Sequence, residues 1–477
     1  MSQLFPLNHS HALIRHLLKR HPNLGPSHHL FLLLGETVQV RHDTDGELPF
    51  RQESNFAWLS GCDVPESALT ISYEHEGEEF VPENTTTTLY LPGIDPDQVM
   101  WSGLPPTPEK MSESVAMSNI VQGFTPFGLV STKPRNRNLP TTIHHLPTYT
   151  PNKQVTATIN GPSYSSEFLL PALHEVRRFK TPPEIEFMRK AGEITSAAHT
   201  ELMKAFGKQL VKDENEAEAI FVAKCRAMGA KRQAYTPIMA AGTSAGILHY
   251  VANDALLPEQ GLMLVDAGAE YKNYAGDVTR CIPIGNGGRF TKECREIYEL
   301  VLKMQTAALD MIKPGTNWED IQLEMHRVAA QGLLSLGILT RGSLKTATEE
   351  EVVNKLLEKG LSNAFFPHGV GHMLGLDTHD VGGLPEGRSS HPLMKYLRLR
   401  LPLEPGYVVT VEPGVYFNDF LLDPIRDSNH LDTAQLEKYM YVGGVRIEDN
   451  VLVTETGFEN FTTAPKTVEE VEKLSAY

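Results

Sequence analysis

Asp266, Asp277, His372, Glu412 and Glu448 are the side chains of this sequence best suited to chemistry, and all five fall in its last half. Each sits in a short, legible setting: Val265-Asp266-Ala267-Gly268, Gly276-Asp277-Val278-Thr279, Gly369-Val370-Gly371-His372, Val411-Glu412-Pro413-Gly414 and Arg446-Ile447-Glu448-Asp449. Four carboxylates and one imidazole exceed the needs of a single ion. They match two hard or borderline divalent ions that share bridging carboxylates, and the chemistry this implies is metal-assisted hydrolysis.

Spacing supports part of that reading. Asp266 and Asp277 are eleven residues apart in two apolar, strand-like runs. A hairpin centred between Tyr271 and Lys272 makes them a directly opposed pair on one face, with Cβ atoms roughly 4.5–5.5 Å apart. Paired ions about 3.5–4 Å apart can share carboxylates so placed. Glu412 sits where Pro413-Gly414 breaks a strand, and Glu448 shares a face with Arg446 in an alternating run. Each has a plainer alternative: strand-end acids in water, or a half-exposed strand with an Arg–Glu pair. His372 alone would more often be structural, but His379 in Thr378-His379-Asp380-Val381-Gly382-Gly383 and His249 in Ile247-Leu248-His249-Tyr250 weigh against that alternative. Imidazoles serve metal ligation and oxyanion stabilisation alike.

The elements that must carry these residues follow from length and pattern. A chain of 477 residues is long for one core, so two domains are expected. From about Leu30 to Tyr164, short apolar runs (His29–Leu34, Ala68–Ser72, Thr88–Leu91) alternate with turn residues, which predicts an α/β domain over 1–165. Met111–Val121 reads as helical, and the Pro-, Thr- and Asn-rich stretch Pro140–Pro162 as interdomain chain. A second, α+β domain covers 173–477. Thr181-Pro182-Pro183-Glu184 starts a helix, and apolar stripes mark further helices over Ala217–Met228, Cys294–Met311 and Trp318–Leu336. Gly261–Ala267, Tyr274–Ile284, Val408–Phe417 and Gly444–Val453 read as strands. Val265–Tyr271 and Val411–Tyr416 share a weak V-acid-x-Gly frame, as a pseudo-symmetric domain would.

A net charge of -16 without a basic stripe argues against nucleic-acid binding. Four widely spaced cysteines form no CxxC pair and point to a reducing compartment. No apolar run is long enough to span a bilayer, and Met1–Pro22 lacks the apolar centre of a signal peptide. A cytoplasmic protein without membrane or nucleic-acid partners is therefore expected.

The joint order Asp-x10-Asp, HGVGH, VEPG and VRIED strongly resembles the metallopeptidases that include aminopeptidase P, prolidase and methionine aminopeptidase. The resemblance covers about Leu173 to Lys466. Phe50-Arg51-Gln52-Glu53-Ser54-Asn55-Phe56, followed by Leu59-Ser60-Gly61, resembles the N-terminal domain of aminopeptidase P and prolidase. The fold implied is a duplicated "pita-bread" α+β catalytic domain preceded by a smaller α/β domain. The activity implied is hydrolysis of the bond before a penultimate proline, by a hydroxide bridging two metal ions, with peptides carrying proline in second position as partners. In that resemblance Asp266 binds one ion and Asp277 bridges both. His372 and Glu412 complete the first ion's shell, and Glu448 bridges to the second. Manganese is the expected metal, with zinc or cobalt compatible. Glu412 would shuttle the proton, and His379 and His249 would stabilise the intermediate. Tyr235, His368 and Arg398 would line the substrate site, with Arg400 an alternative to Arg398. A homo-oligomer is expected by the same likeness. The alternatives are a Xaa-Pro dipeptidase and a non-catalytic binding protein on the same scaffold, although such relatives lose the metal ligands that this chain keeps. The segment Gly242–Gly246 departs from the pattern, and the insert Asp419–Lys438 is a lid, an interface or a surface loop.

Overall fold

A computed structural model describes residues 5–77, 79–130, 134–136, 138–147, 164–385, 389 and 391–477. The chain divides into two compact units, Met1–Arg177 and Arg178–Tyr477. Most of the stretch Pro140–Pro162 lies outside the described residues. No helix among the described residues is long and apolar enough to cross a membrane.

In the first unit, helices α1 (Phe5–Arg20), α2 (Ser54–Ser60) and α3 (Leu169–Arg177) accompany a mixed sheet. Its strands are β1 (Ser27–Leu34), β2 (Ala68–His75), β3 (Thr85–Leu91), β4 (Asn119–Gln122), β5 (Thr141–His145) and β6 (Tyr164–Ser165), in the order β4-β3-β2-β1-β5-β6. The Phe50–Gly61 motif builds α2. The Glu53 carboxylate caps it by accepting from Phe56 N at 2.7 Å, and Gly61 ends it at φ 65°. Met111–Val121 is not one helix. Only Pro108–Ser112 is helical, and β4 begins at Asn119. The Ser-Glu-Ser run favours side-chain bonding to nearby backbone over helix propagation, while Ile120 and Val121 favour the strand.

The second unit opens with α4 (Pro182–Gly207), whose Glu184 carboxylate accepts from Thr181 N at 2.8 Å and from the Thr181 hydroxyl at 2.7 Å. Helices α5 (Glu214–Ala227), α6 (Lys292–Met311) and α7 (Trp318–Ser335) follow, each burying its apolar stripe. The strands are β7 (Arg232–Gln233), β8 (Ile238–Ala241), β9 (Gly261–Asp266), β10 (Ala269–Tyr271), β11 (Tyr274–Ala275) and β12 (Thr279–Ile284) in the first half. In the second half they are β13 (Val408–Val411), β14 (Gly414–Tyr416), β15 (Gly444–Arg446), β16 (Asp449–Val453) and β17 (Phe458–Asn460). They pair as β12-β9-β8, β11-β10-β7, β13-β16-β17 and β14-β15.

Three of the four segments read from sequence as strands, Tyr274–Ile284, Val408–Phe417 and Gly444–Val453, are each two short strands with a break that holds an acid, while Gly261–Ala267 is the single strand β9. Asp266 ends β9, Asp277 lies between β11 and β12, Glu412 between β13 and β14, and Glu448 between β15 and β16. Pro413-Gly414 marks the break at Glu412 in the sequence, whereas periodicity alone does not reveal those at Asp277 and Glu448. The two halves present their acids alike, since Asp266 pairs with Thr279 and Val411 with Asp449 at corresponding ends of antiparallel ladders.

The first hairpin is centred one position later than expected. Tyr271 pairs with Tyr274, and Lys272 and Asn273 make the turn at φ 53° and 67°, the left-handed pair of a two-residue hairpin turn. Asp277 is therefore not opposite Asp266 but diagonal to it. An odd separation keeps both on one face in either register, so the carboxylates still converge. Gly268 lets the ladder bend there, because a Cβ on it would lie 1.7 Å from Gly276 O.

Candidate active site

Val370–Leu374 lies alongside β13 and delivers the imidazole. Glu412 N donates to Val370 O at 2.8 Å, Thr410 N to His372 O at 2.9 Å and Leu374 N to Val408 O at 2.9 Å. Gly371 permits this approach, since a Cβ there would sit 2.0 Å from Thr410 O. His372 Nδ1 donates to Met373 O at 2.9 Å, which turns Nε2 toward Asp277 Oδ2 at 3.4 Å and Glu412 Oε1 at 3.5 Å; against burial, those carboxylates raise its affinity for a proton, whose place an ion would take with Nδ1–H kept. That tautomer is the one a metal-ligating histidine needs.

Asp277 is gripped at its backbone by Asn450, whose Oδ1 accepts from Asp277 N at 2.9 Å and whose amide donates to Asp277 O. Tyr235 Oη lies 2.5 Å from Asp266 Oδ1 and 2.6 Å from Asp277 Oδ1. One hydroxyl proton satisfies one of them at a time. Arg446 donates to Asp266 Oδ2 at 2.5 Å, to Tyr416 Oη at 2.7 Å and to Thr279 Oγ1 at 3.1 Å. The Thr279 hydroxyl donates to Glu448 Oε2 at 2.7 Å, while Glu448 Oε1 is buried with no hydrogen-bond partner among the described residues. Asp277, His372 and Glu448 bring ligand atoms within 4.8 Å of one another, the tight group that can hold a cation.

Ten of the residues singled out from the sequence line one cavity of about 620 Å³: the four acids, His372, Tyr235, His249, His368, His379 and Arg398. Arg400 is not on that wall; its Nε donates to Glu319 Oε1 at 2.7 Å. His368 has both ring nitrogens engaged. Arg446 donates to Tyr416, so the Tyr416 hydroxyl donates on to His368 Nε2 at 2.8 Å, and Nδ1 donates to Gly369 O at 2.8 Å. It meets a ligand only with its ring. The insert Asp419–Lys438 is folded, with Leu422 and Leu436 buried and Arg426 paired with Asp419, Asp423 and Glu437. Its Leu421 reaches the cavity wall. Gly242–Gly246 forms a 3-10 turn upstream of Leu248, His249 and Val251, which also line the cavity. Thr279, Asn450, Thr410 and Tyr416 orient the cluster and escape a reading by residue type. Only their adjacency to the five motifs marks them.

Burial pushes Glu412 up to about 7 against the pull of His372 and Arg446. Burial, then the charges of Asp277, Glu412 and Asp266, holds Glu448 far above the usual carboxylate range. Burial also raises Asp266, whereas Asp277, which burial alone would raise, is held low by the hydrogen bond and charge of His372. Burial and then the charge of His372 depress His379 to about 3; burial and then Arg446 do the same for His368, so both are neutral near pH 7.

A stability consequence follows with a definite sign. Glu412 takes up its proton more readily folded than unfolded, so the stability this confers is full below its ordinary value of 4.5 and lost as pH rises through about 7. The loss is on the order of 3 kcal/mol for this group. In chelator-treated protein the melting temperature of wild type relative to Glu412→Gln is therefore expected to fall between pH 5 and pH 8, a comparison in which the opposite slope of the buried neutral histidines cancels, and divalent ions to flatten the difference. A metal-free difference that rises over that interval contradicts the electrostatics described.

Residues 186–455 match the family described as metallopeptidase family M24, and residues 9–123 match the aminopeptidase P N-terminal domain. A probable Xaa-Pro aminopeptidase of Paracoccidioides brasiliensis (strain Pb18) is 43% identical over 466 residues, 94% of this chain and 92% of that protein. One from Ajellomyces capsulatus (strain G186AR) is 44% identical over 464 residues, 93% of this chain and 91% of that one. Among solved structures, proline aminopeptidase P II of Yersinia pestis superposes with a TM-score of 0.79 at 28% identity, covering 100% of this chain and 99% of that one. Zinc-substituted Escherichia coli aminopeptidase P, solved with product, gives 0.77 at 28% identity, covering 100% and 98%.

Proposed function

The chain belongs to metallopeptidase family M24, in the aminopeptidase P branch, and we propose that it is a metal-dependent Xaa-Pro aminopeptidase, releasing the N-terminal residue from peptides with proline second. The observation that carries the reading is the buried cluster at the base of the cavity, in a chain similar over nearly its whole length to Xaa-Pro aminopeptidases.

The residues present fit divalent ions. Glu448 Oε1 is buried without a donor among the described residues, one Tyr235 hydroxyl proton is shared by Asp266 and Asp277, and His372 Nε2 is turned toward Asp277 and Glu412. Uncompensated buried acids are costly unless paired or bound to a metal. In this reading Asp266, Asp277, Glu448, His372 and Glu412 would hold two divalent ions. The oxygen-rich set suits manganese and is compatible with zinc or cobalt. Ions held there lower the pKa of a water and polarise the scissile carbonyl.

The chain's own groups supply the rest. Glu412, which lines the cavity beside the other acids, would take the proton released in attack and hand it to the proline nitrogen, which must be protonated to leave. His379 stacks edge-on against His372 with ring centroids 4.5 Å apart, and as a neutral imidazole it donates a hydrogen bond to the developing oxyanion; His249 donates from the same wall. Arg398 and Tyr235 contact substrate, and Leu248, Val251 and Leu421 give the proline ring and the first side chain apolar wall. The four cysteines are free and buried, which suits a cytoplasmic protein. A homo-oligomer completes the reading.

With manganese(II) present, kcat/KM for a Xaa-Pro-Yaa tripeptide is expected to exceed that for Gly-Pro at least about tenfold, roughly 1.4 kcal/mol of transition-state stabilisation, and chelation to abolish both. Equal or greater efficiency on the free dipeptide would transfer the chain to the dipeptidases.

A further inference from the structure

Arg280 lies outside the cavity and is fully buried. A guanidinium has five N–H groups, and here each finds an acceptor. Nε donates to Pro465 O at 3.0 Å; one terminal nitrogen donates to Thr279 O at 2.9 Å and Glu448 O at 2.7 Å; the other donates to Asp449 Oδ1 at 2.7 Å and Ala464 O at 2.9 Å. Three segments are thereby tied together: the start of β12, the break between β15 and β16, and the stretch ahead of the last helix, Val468–Ser475. Asp449, the counter-charge, is shared with Lys466 Nζ at 2.6 Å and Asn460 Nδ2 at 2.8 Å, and Lys466 reaches Gln305 of α6 at 2.8 Å.

A buried ion pair is a weak device for stability, since apolar groups of similar volume commonly do as well or better. What lysine or an apolar residue cannot supply is a rigid planar fork. The two breaks it joins belong to different hairpins, β9/β12 and β13/β16, and carry Asp277 two residues before Thr279 and Glu448 itself. These are two of the three residues in the tight cation-binding group. A shared two-ion site must be held to about 0.5 Å. We propose that Arg280 is a positioning residue that sets the separation of the Asp277 and Glu448 carboxylates, and so decides whether the cluster holds two ions or one. The proposal rests on the two-ion reading above.

The test uses the full chain, stripped of metal and titrated with manganese(II) chloride by calorimetry, with electron paramagnetic resonance to detect a spin-coupled pair and circular dichroism to monitor folding. Arg280→Lys keeps the charge, and Arg280→Gln avoids an unpaired buried cation. Wild type is expected to take two ions and show the coupled signal. Both variants are expected to fold, to bind the first ion within about threefold of wild type, and to bind the second about tenfold to hundredfold more weakly without coupling, the range for outer-shell changes. A folded variant that binds two coupled ions with wild-type affinity overturns the proposal. Failure of both variants to fold, with manganese present, also overturns it, leaving Arg280 a purely structural residue. Wild type that binds no manganese strikes the two-ion reading itself.

Discussion

Asp277→Asn is expected to abolish turnover and metal loading together, with kcat reduced at least about 10³-fold, roughly 4 kcal/mol of barrier. The substitution is nearly isosteric, and the backbone of residue 277 is held by Asn450 on both its N–H and its carbonyl, so the chain should stay in place. What is lost is the second anionic oxygen, the one 3.4 Å from His372 Nε2. Asp277 also raises Glu448, Glu412 and Asp266 by like charge. Removing it should leave the metal-free protein as stable as wild type or more so. The stabilisation conferred by ions, about 2.7 kcal/mol at a hundred times the dissociation constant, should vanish. Metal content by plasma emission, thermal shift with and without manganese, and single-peptide kinetics read the three effects separately. Full activity of Asp277→Asn in a metal-replete preparation would sink the assignment.

Glu412→Gln is expected to lower kcat about 10²- to 10⁴-fold, the contribution of a positioned general acid–base group, with KM changed far less. The carboxamide keeps an oxygen in the cluster but cannot carry a proton to the leaving nitrogen. With no carboxyl at position 412 left to titrate, the residual rate of the variant should lose the pH dependence that this group imposes. Initial rates across pH on one Xaa-Pro-Yaa peptide provide the check. A kcat within about threefold of wild type would remove Glu412 from proton transfer, because general acid–base catalysis predicts a much larger loss.

Much of the site was legible because its chemistry resides in residue type. Carboxylates and imidazoles in apolar, glycine-flanked runs have few other uses, and the order of the motifs narrowed them further. The eleven-residue spacing placed Asp266 and Asp277 on one face through parity alone, which survives the shift of the turn to Lys272-Asn273. The helices were readable because their caps and stripes are local, as at Thr181 and Glu184.

Other features were not readable. The strand breaks that aim Asp277 and Glu448 leave no mark on the apolar alternation, whereas Pro413-Gly414 announces the one at Glu412. Thr279, Asn450 and Tyr416 are ordinary residues until distant segments meet them. Arg280 reads as one more strand residue, yet its five acceptors include atoms 168 to 185 residues away in sequence. The sequence by itself thus determined which side chains are fit to bind ions and move protons, because that fitness follows from functional groups and from the order of motifs that resembles a known family. The tertiary structure alone decided how far apart those atoms stand, which of two arginines faces the cavity, and which oxygen is left without a donor. Those are differences of an ångström or less, set by hydrogen bonds between segments that periodicity and local propensity never bring together.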